Sequence, residues 1–466
     1  MLQLPASRYP LFALAIAALL LAPAGSRADE APSPGADPVA ALSGSDEGTA
    51  ITPELLDRLV NEARAHSPGL QAAAARMAAA GAAVAAVRTW EDPTATVGFT
   101  KPTPRGLMAS QDGNLMYEVD QKLPLYGKPD LIRRQAAADA SREQYAADFE
   151  AQKLRRDLGV ALIQLALGDL EVDFARRDLA WLAATSSSVD HLYRVGGARQ
   201  VDWLKVETAQ AVAGDALRTS TIERAHGAVA LNRMLNRDLH AAWPRFAVPA
   251  VLPDIPYTPR LVEAALAAEP ELRIMRQESV SAEAAADLTH RQRLPDVSVG
   301  LQAWQYTGDA GIREGTVTVS FSVPWLNRGK YDDDWRRDRQ RQRASELAAD
   351  DYALSVREEL HHHIDSLDAA RREAALYRDQ VIPLTRQTLA SAEAAWDQNL
   401  GPFQDVLDAH RMLVSGQLSL AQARADQATM IVEIALLTGA RDAEGLLALA
   451  GDASPGGEGR APDSNK

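Results

Sequence analysis

The 466-residue chain has no cysteine. It can therefore build neither a disulfide framework nor a thiolate metal site, and no cysteine follows its apolar leader to carry a lipid. Basic charge is scarce: 49 Lys and Arg stand against 63 Asp and Glu, a net charge of −14 at pH 7. No basic cluster is interleaved with aromatics, which excludes a nucleic-acid groove. Apolar runs of spanning length are missing too. Beyond the leader the most apolar stretch, residues 72–87, is mostly alanine, contains Arg76, and is shorter than the roughly 20 residues a membrane helix needs. If the chain spans a membrane, it does so with strands. Catalytic signatures are absent: there is no G-x-S-x-G, H-E-x-x-H or G-x-x-x-x-G-K-[ST], and Gly127-Lys128 and Gly329-Lys330 lack the upstream glycine of a phosphate loop. The sequence points away from an enzyme and calls for no cofactor or resident metal.

What is present begins with a leader. Residues 1–28 combine Arg8, an apolar run from Leu11 to Leu21 and the small-residue end Ser26-Arg27-Ala28, which reads as a secretory signal peptide. Residues 29–50 are rich in Pro, Gly, Ser and Asp and are expected to form a flexible N-terminal arm, and residues 441–466 a polar tail.

Between them the chain says the same thing twice. Ser67-Pro68-Gly69-Leu70 returns about 202 residues later as Glu269-Pro270-Glu271-Leu272. The PTATVGF segment starting at Pro93 returns as PDVSVGL from Pro295, and Leu123-Pro124…Gly127-Lys128 returns as Val323-Pro324…Gly329-Lys330. A period this long is one structural unit duplicated. The first repeat is expected over residues 53–245 and the second over 258–440, each ordered helix, strand, strand, helix, helix.

Four segments alternate with period two. Ala95, Val97 and Phe99 share one face, and Leu115, Tyr117 and Val119 do so in the next strand. In the second repeat Val297, Val299, Leu301 and Ala303 alternate with polar residues, as do Val317, Val319, Phe321 and Val323. Strands are expected near 94–101, 114–123, 296–305 and 315–323, each about the length a tilted strand needs to cross a bilayer. Two ordinary hairpins on a soluble core fit the alternation as well.

The segments after the strands favour the membrane reading. No proline lies between Pro129 and Pro244, where average usage would place roughly six. Leu158, Ala161, Leu165, Gly168, Val172, Ala175, Leu179, Leu182, Ser186 and Val189 follow the three-and-four spacing of a coiled-coil seam. Helical hairpins are expected over 128–237 and 330–439. A helix of residues 128–193 would be about 100 Å long. Gly196-Gly197-Ala198 and Asn399-Leu400-Gly401-Pro402 reverse the two hairpins, and Pro383 should kink the second. Four strands cannot close a membrane barrel and open edges are not tolerated in lipid, so further copies of the chain must complete it.

These residues resemble the TolC-family outer-membrane factors, the exit ducts of Gram-negative tripartite efflux pumps and type I secretion systems. The resemblance covers about residues 53–440 and rests on the duplicated order, the LPLYGK and VPWLNRGK turns, and Gln404-Asp405-Val406-Leu407-Asp408-Ala409 after the second reversal. It implies a mainly α protein with a membrane β-barrel. Three copies would form a 12-stranded barrel in outer-membrane lipid, continued by a long α-helical coiled-coil barrel in the periplasm. The partners implied are a periplasmic adaptor (membrane fusion protein) and an inner-membrane transporter of RND type.

Asp405 and Asp408 match the acidic pair at the periplasmic gate of such ducts. Their i, i+3 spacing puts both on one helix face, and they read equally as first-turn acids complementing a helix N-terminus. The resemblance assigns the tips to adaptor contact: Val195, Gly196, Gly197 and Ala198, and Asn399, Leu400, Gly401 and Pro402. The LPLYGK turn is similar to that of heavy-metal efflux members. His361-His362-His363 point in three directions on a helix and read as a solvated or lumen-facing patch. A type I secretion duct and a soluble periplasmic coiled-coil adaptor or scaffold are the alternative functions.

Overall fold

The computed structural model describes residues 48–100, 114–249, 252–306 and 311–451. The signal peptide, most of the arm and residues 452–466 lie outside the described residues.

Each repeat opens with the same local chemistry. The Thr52 hydroxyl accepts the Leu55 N–H at 3.3 Å to start α1 (Pro53–His66), with proline in the first turn. Thr258 caps Leu261 at 3.3 Å to start α5 (Pro259–Ala268), again ahead of a proline. A hydroxyl at N-cap and a proline at N1 satisfy or remove donors that have no helical partner. α1 leads into α2 (Pro68–Ala86) and α5 into α6 (Pro270–Arg291). The strands follow: β2 (Thr94–Thr100) and β3 (Asn114–Lys122) in the first repeat, β5 (Val297–Tyr306) and β6 (Ile312–Phe321) in the second. They form one antiparallel sheet in the order β2-β3-β5-β6. β6 starts earlier than its alternation suggests, because a register shift at Trp304/Gln305 lets Gln305 pair with Ile312.

After the sheet come the long helices, α3 (Lys128–Arg194) and α4 (Gln200–Met234), then α7 (Arg328–Leu376), α8 (Ile382–Asp397) and α9 (Phe403–Thr438). The 67 residues of α3 make a rod of about 100 Å. Gly127 enters it with φ +66°, and Lys128 reaches across to Asp296 (2.7 Å) and the Leu294 carbonyl (3.1 Å), tying the first long hairpin to the start of β5.

The duplication extends to the core. Leu59, Leu158 and Leu165 centre one buried cluster, and Leu261, Leu360 and Leu367 centre a second at corresponding places. The seam of α3 widens beyond coiled-coil spacing at this level: Leu162, Ile163, Ala166 and Leu167 are buried as well, because α1, α4 and α9 all pack on α3.

The sequence reading needs two corrections, and its expectation at Pro383 gains a detail. The arm does not stay free to residue 50: Thr49 and Ala50 form β1, pairing in parallel with β4 (Phe246–Ala247). Gly48 makes this possible, since a Cβ there would lie 2.6 Å from the Ala247 nitrogen. The tail is not wholly polar chain either. Asp442 caps Gly445 at 2.7 Å, and residues Ala443–Ala450 form α10, which packs on α5 and α9 and buries Leu446 completely. At Pro383 the ladder is accommodated by a π turn, Tyr377–Val381, in which the Ile382 N–H reaches back to the Tyr377 carbonyl. A ring that cannot donate displaces the bonds around it, and one wider turn absorbs the mismatch.

One buried acid carries a pH prediction. Glu269 caps α6 with only weak partners, the Glu271 N–H and the Tyr352 hydroxyl, each at 3.4 Å, and its Oε2 has none among the described residues. Burial is the main cause that pushes its carboxyl from 4.5 up to about 6. The folded chain therefore holds this proton more tightly than the unfolded chain does. The associated stability is full below about pH 4.5 and is lost as pH rises through about 6. Glu269→Gln should remove that slope and raise stability at pH 7.5 by about 2 kcal/mol, read as melting temperature against pH. A variant that keeps the wild-type slope would assign it to another group.

Candidate functional site: the amphipathic sheet and the helical tips

The sheet carries two chemically opposite faces. Register aligns Ala95, Val119, Leu301 and Val317 in one apolar row across all four strands, and the adjacent row reads Thr96, Glu118, Gln302 and Thr316. On the apolar side Val97 is 69% exposed, Phe99 62%, Leu301 62% and Val317 68%. A continuous face of Val, Phe and Leu left in contact with water is too costly to be the working state of this sheet. The polar side packs closely: a Cβ on Gly300 would come within 2.4 Å of the Thr318 hydroxyl and 3.1 Å of the Asp120 carboxylate. β2 and β6 are open edges.

The helices show the same incompleteness. α6 packs between α3 on one side and α7 on the other. Its counterpart α2 has α3 and the end of α1 as neighbours, and buries only Ala73.

The far ends of the hairpins bring the second group of residues together. Both tips close in the same way. Gly196 takes φ +81° and the Gly197 N–H bonds back to the Leu192 carbonyl at 2.7 Å. Asn399 takes φ 55° and the Leu400 N–H bonds back to the Ala395 carbonyl at 2.8 Å. This is one helix-ending motif built from two different sequences, since Asn is among the few residues that tolerate the left-handed region. Val195 and Leu400 project outward, 66% and 78% exposed, while Ala198 packs inward.

Asp405 and Asp408 sit in the first turns of α9 on one exposed face. Asp408 accepts two bonds from Gln404 Nε2 at 2.9 Å and lies 3.5 Å from Arg411. Asp405 has no ion-pair partner among the described residues. Their sequence neighbours Val406, Leu407, Ala409 and His410 are buried, so the carboxylates are held on a fixed surface. The anchor is Phe403, 1% exposed, tilted against Trp396 at 5.1 Å and clustered with Leu182, Val189 and Val206.

One feature of this region has no signature in the sequence. His410 Nε2 lies 2.7 Å from the Asp178 carboxylate, and its ring stacks on Trp181 at 3.6 Å. Asp178 and Trp181 belong to α3, so a half-buried polar link ties the first hairpin to the second two residues beyond Asp408. The partners are separated by 232 residues, and no local pattern joins them. His361, by contrast, pairs with Asp365 at 3.0 Å and tilts against Tyr257, while His363 lies 3.6 Å from Glu359. The histidines thus turn to separate partners, and no group of three candidate metal ligands occurs among the described residues.

Fold and sites together define an architecture: an amphipathic four-stranded sheet continued by long helical hairpins. Residues 261–440 match the family model described as outer membrane efflux protein. The fold is shared with the outer-membrane channel OprN, at TM-score 0.72 and 19% identity over 83% of this chain and 90% of that one. It is shared with CusC, at 0.74 and 13% over 84% and 92%, and with the outer membrane protein VceC of Vibrio cholerae, at 0.71 and 17% over 83% and 96%. No curated protein matches the sequence. The family match thus covers the second repeat, and the structural likeness extends the same fold over both repeats.

Proposed function

We propose that three copies of this chain close into a passive exit duct of a tripartite efflux system, with the sheets in the outer membrane and the helices in the periplasm. The observation that carries this reading is the unfinished repeat symmetry. Within one chain β3 of the first repeat pairs with β5 of the second, and α6 is clasped between α3 and α7. Applying the same relation once more joins β6 to β2 of the next copy and brings that copy's α2 against α7. The ring closes without open edges, as a barrel in lipid must. Three copies give 12 strands, the number that the family resemblance implies.

In this ring Asp405 and Asp408 from each chain form two acidic rings at the entrance. The exposed tips around Val195 and Leu400 are the surface offered to a periplasmic adaptor, and an RND-type inner-membrane transporter supplies the energy. The acidic entrance favours cations, which fits metal cations or cationic drugs as cargo.

The test is electrical. One charge acting about 8 Å away in water is worth about 0.5 kcal/mol. Six carboxylates together are worth about 3 kcal/mol to a cation, so the double variant Asp405→Ala, Asp408→Ala should cut the cation-to-anion permeability ratio by at least about a hundredfold at low salt, and by less when screened. Bilayer recordings at two salt concentrations check this. Unchanged selectivity would leave both carboxylates as helix-start acids complementing α9.

A further inference from the structure

Beside the π turn of the second hairpin lies a cavity of about 330 Å³ lined by Leu252, Ala374, Ala375, Leu420, Gln427 and three arginines, Arg371, Arg378 and Arg424. Two of the arginines are already paired. Arg371 lies 2.6 Å from Asp254, and Arg378 holds Asp379 through two bonds of 2.7 and 2.8 Å. Arg424, reaching in from α9, has no hydrogen bond or ion pair among the described residues and is half-buried.

A guanidinium stays charged at any physiological pH. Taking it partly out of water beside two others, without a counter-charge of its own, is unfavourable unless something offsets it. The cavity wall therefore carries one positive charge in excess. Its floor is apolar, and Gln427 spends its side-chain N–H on the Ala370 carbonyl at 3.2 Å. The π turn sets the spacing: the wider turn begins at Tyr377, next to Arg378, and insertions of this kind recur at binding sites.

We propose that this cavity binds a small soluble oxyanion, a carboxylate or a phosphate, in the fork of Arg424, with Arg371 and Arg378 completing a positive wall. Planar guanidinium forks match these anions in geometry as well as in charge. Burial, and next the Arg378 charge, hold the Arg424 guanidinium below the usual arginine range, and a bound anion would offset both effects. A lipid headgroup does not reach the site: about 45 to 50 residues of helix separate it from Arg328 at the end of the sheet, roughly 65 to 75 Å. The anion site itself uses only the second hairpin and the linker that covers it, while the exclusion of lipid rests on the exit-duct reading.

The purified full-length oligomer in detergent is titrated with inorganic phosphate and with acetate, against chloride at constant ionic strength. Melting temperature and titration calorimetry are both read. The wild type should show saturable binding and a higher melting temperature with at least one of the two, and the stronger response identifies the anion. Arg424→Gln should melt above wild type in chloride and bind either anion at least about tenfold more weakly. Arg336→Gln, on an exposed surface of α7, should behave as wild type. Absence of saturable binding to the wild type, which requires no variant to fold, overturns the proposal. So does an Arg424→Gln variant that binds as well as wild type. If that variant instead melts lower in chloride and loses its oligomeric state, Arg424 pairs with a carboxylate of a neighbouring copy and the site is not one for a free anion.

Discussion

Val317→Arg is expected to abolish assembly of the chain in membranes while Thr316→Arg, one residue away, assembles normally. Val317 lies midway along β6, pairs with Leu301 and is 68% exposed on the apolar face. A charged side chain on the lipid side of a barrel near the bilayer midplane costs about 2 to 4 kcal/mol, and in a closed ring every copy bears that cost. Thr316 pairs with Gln302 in the polar row, where in the proposed barrel an arginine would meet water. The measurement is the yield of detergent-resistant oligomer in the outer-membrane fraction. Equal yields would mean that the apolar row does not touch hydrocarbon and that some soluble partner covers it.

Phe403→Ala is expected to cost about 3 to 5 kcal/mol, the usual range for emptying a buried aromatic site. The cost should fall on the tip rather than on the whole chain. Phe403 is the first residue of α9 and is 1% exposed, packed among Leu182 and Val189 of α3 and Val206 of α4. It plugs the second hairpin into the first at the level of Asp405 and Asp408. The Schellman-type turn at Asn399 is tied down by little else, so local opening becomes easier. Hydrogen exchange should accelerate across residues 399–414 while the clusters around Leu158 and Leu360 keep their protection. Uniform loss of protection would show that the tip and the rest of the rod unfold as one unit. The Asp178–His410 link should hold part of the register in this variant, and adding Asp178→Ala should loosen the tip further.

The elements written in local patterns were legible. Alternation at Val97/Phe99 and Val317/Val319 marked strands with one greasy face, and the proline-free stretch before Pro244 marked the two long helices of the first repeat. Gly196 announced its reversal. Asn399-Leu400-Gly401-Pro402 announced the second, but that Asn399 takes the same left-handed conformation as Gly196 shows only in the structure. Residues 443–450 looked like tail: eight residues make a weak helix alone, and α10 exists because Leu446 finds the pocket between α5 and α9. The π turn was foreshadowed only as a disturbance at Pro383, with nothing local to choose between a bend and a wider turn. Arg424 showed no peculiarity until α7 and the linker carrying Leu252 closed around it.

By itself the sequence determined the duplicated unit, the two faces of each strand and the length of the rods. All three follow from periods of two, about 3.6 and about 202 residues that need no knowledge of neighbours. Only the tertiary structure decided that β3 pairs with β5, that α6 is clasped while α2 is left bare, and that His410 meets Asp178. Such contacts join residues far apart in the chain, and their energy depends on which surfaces the long helices turn toward one another.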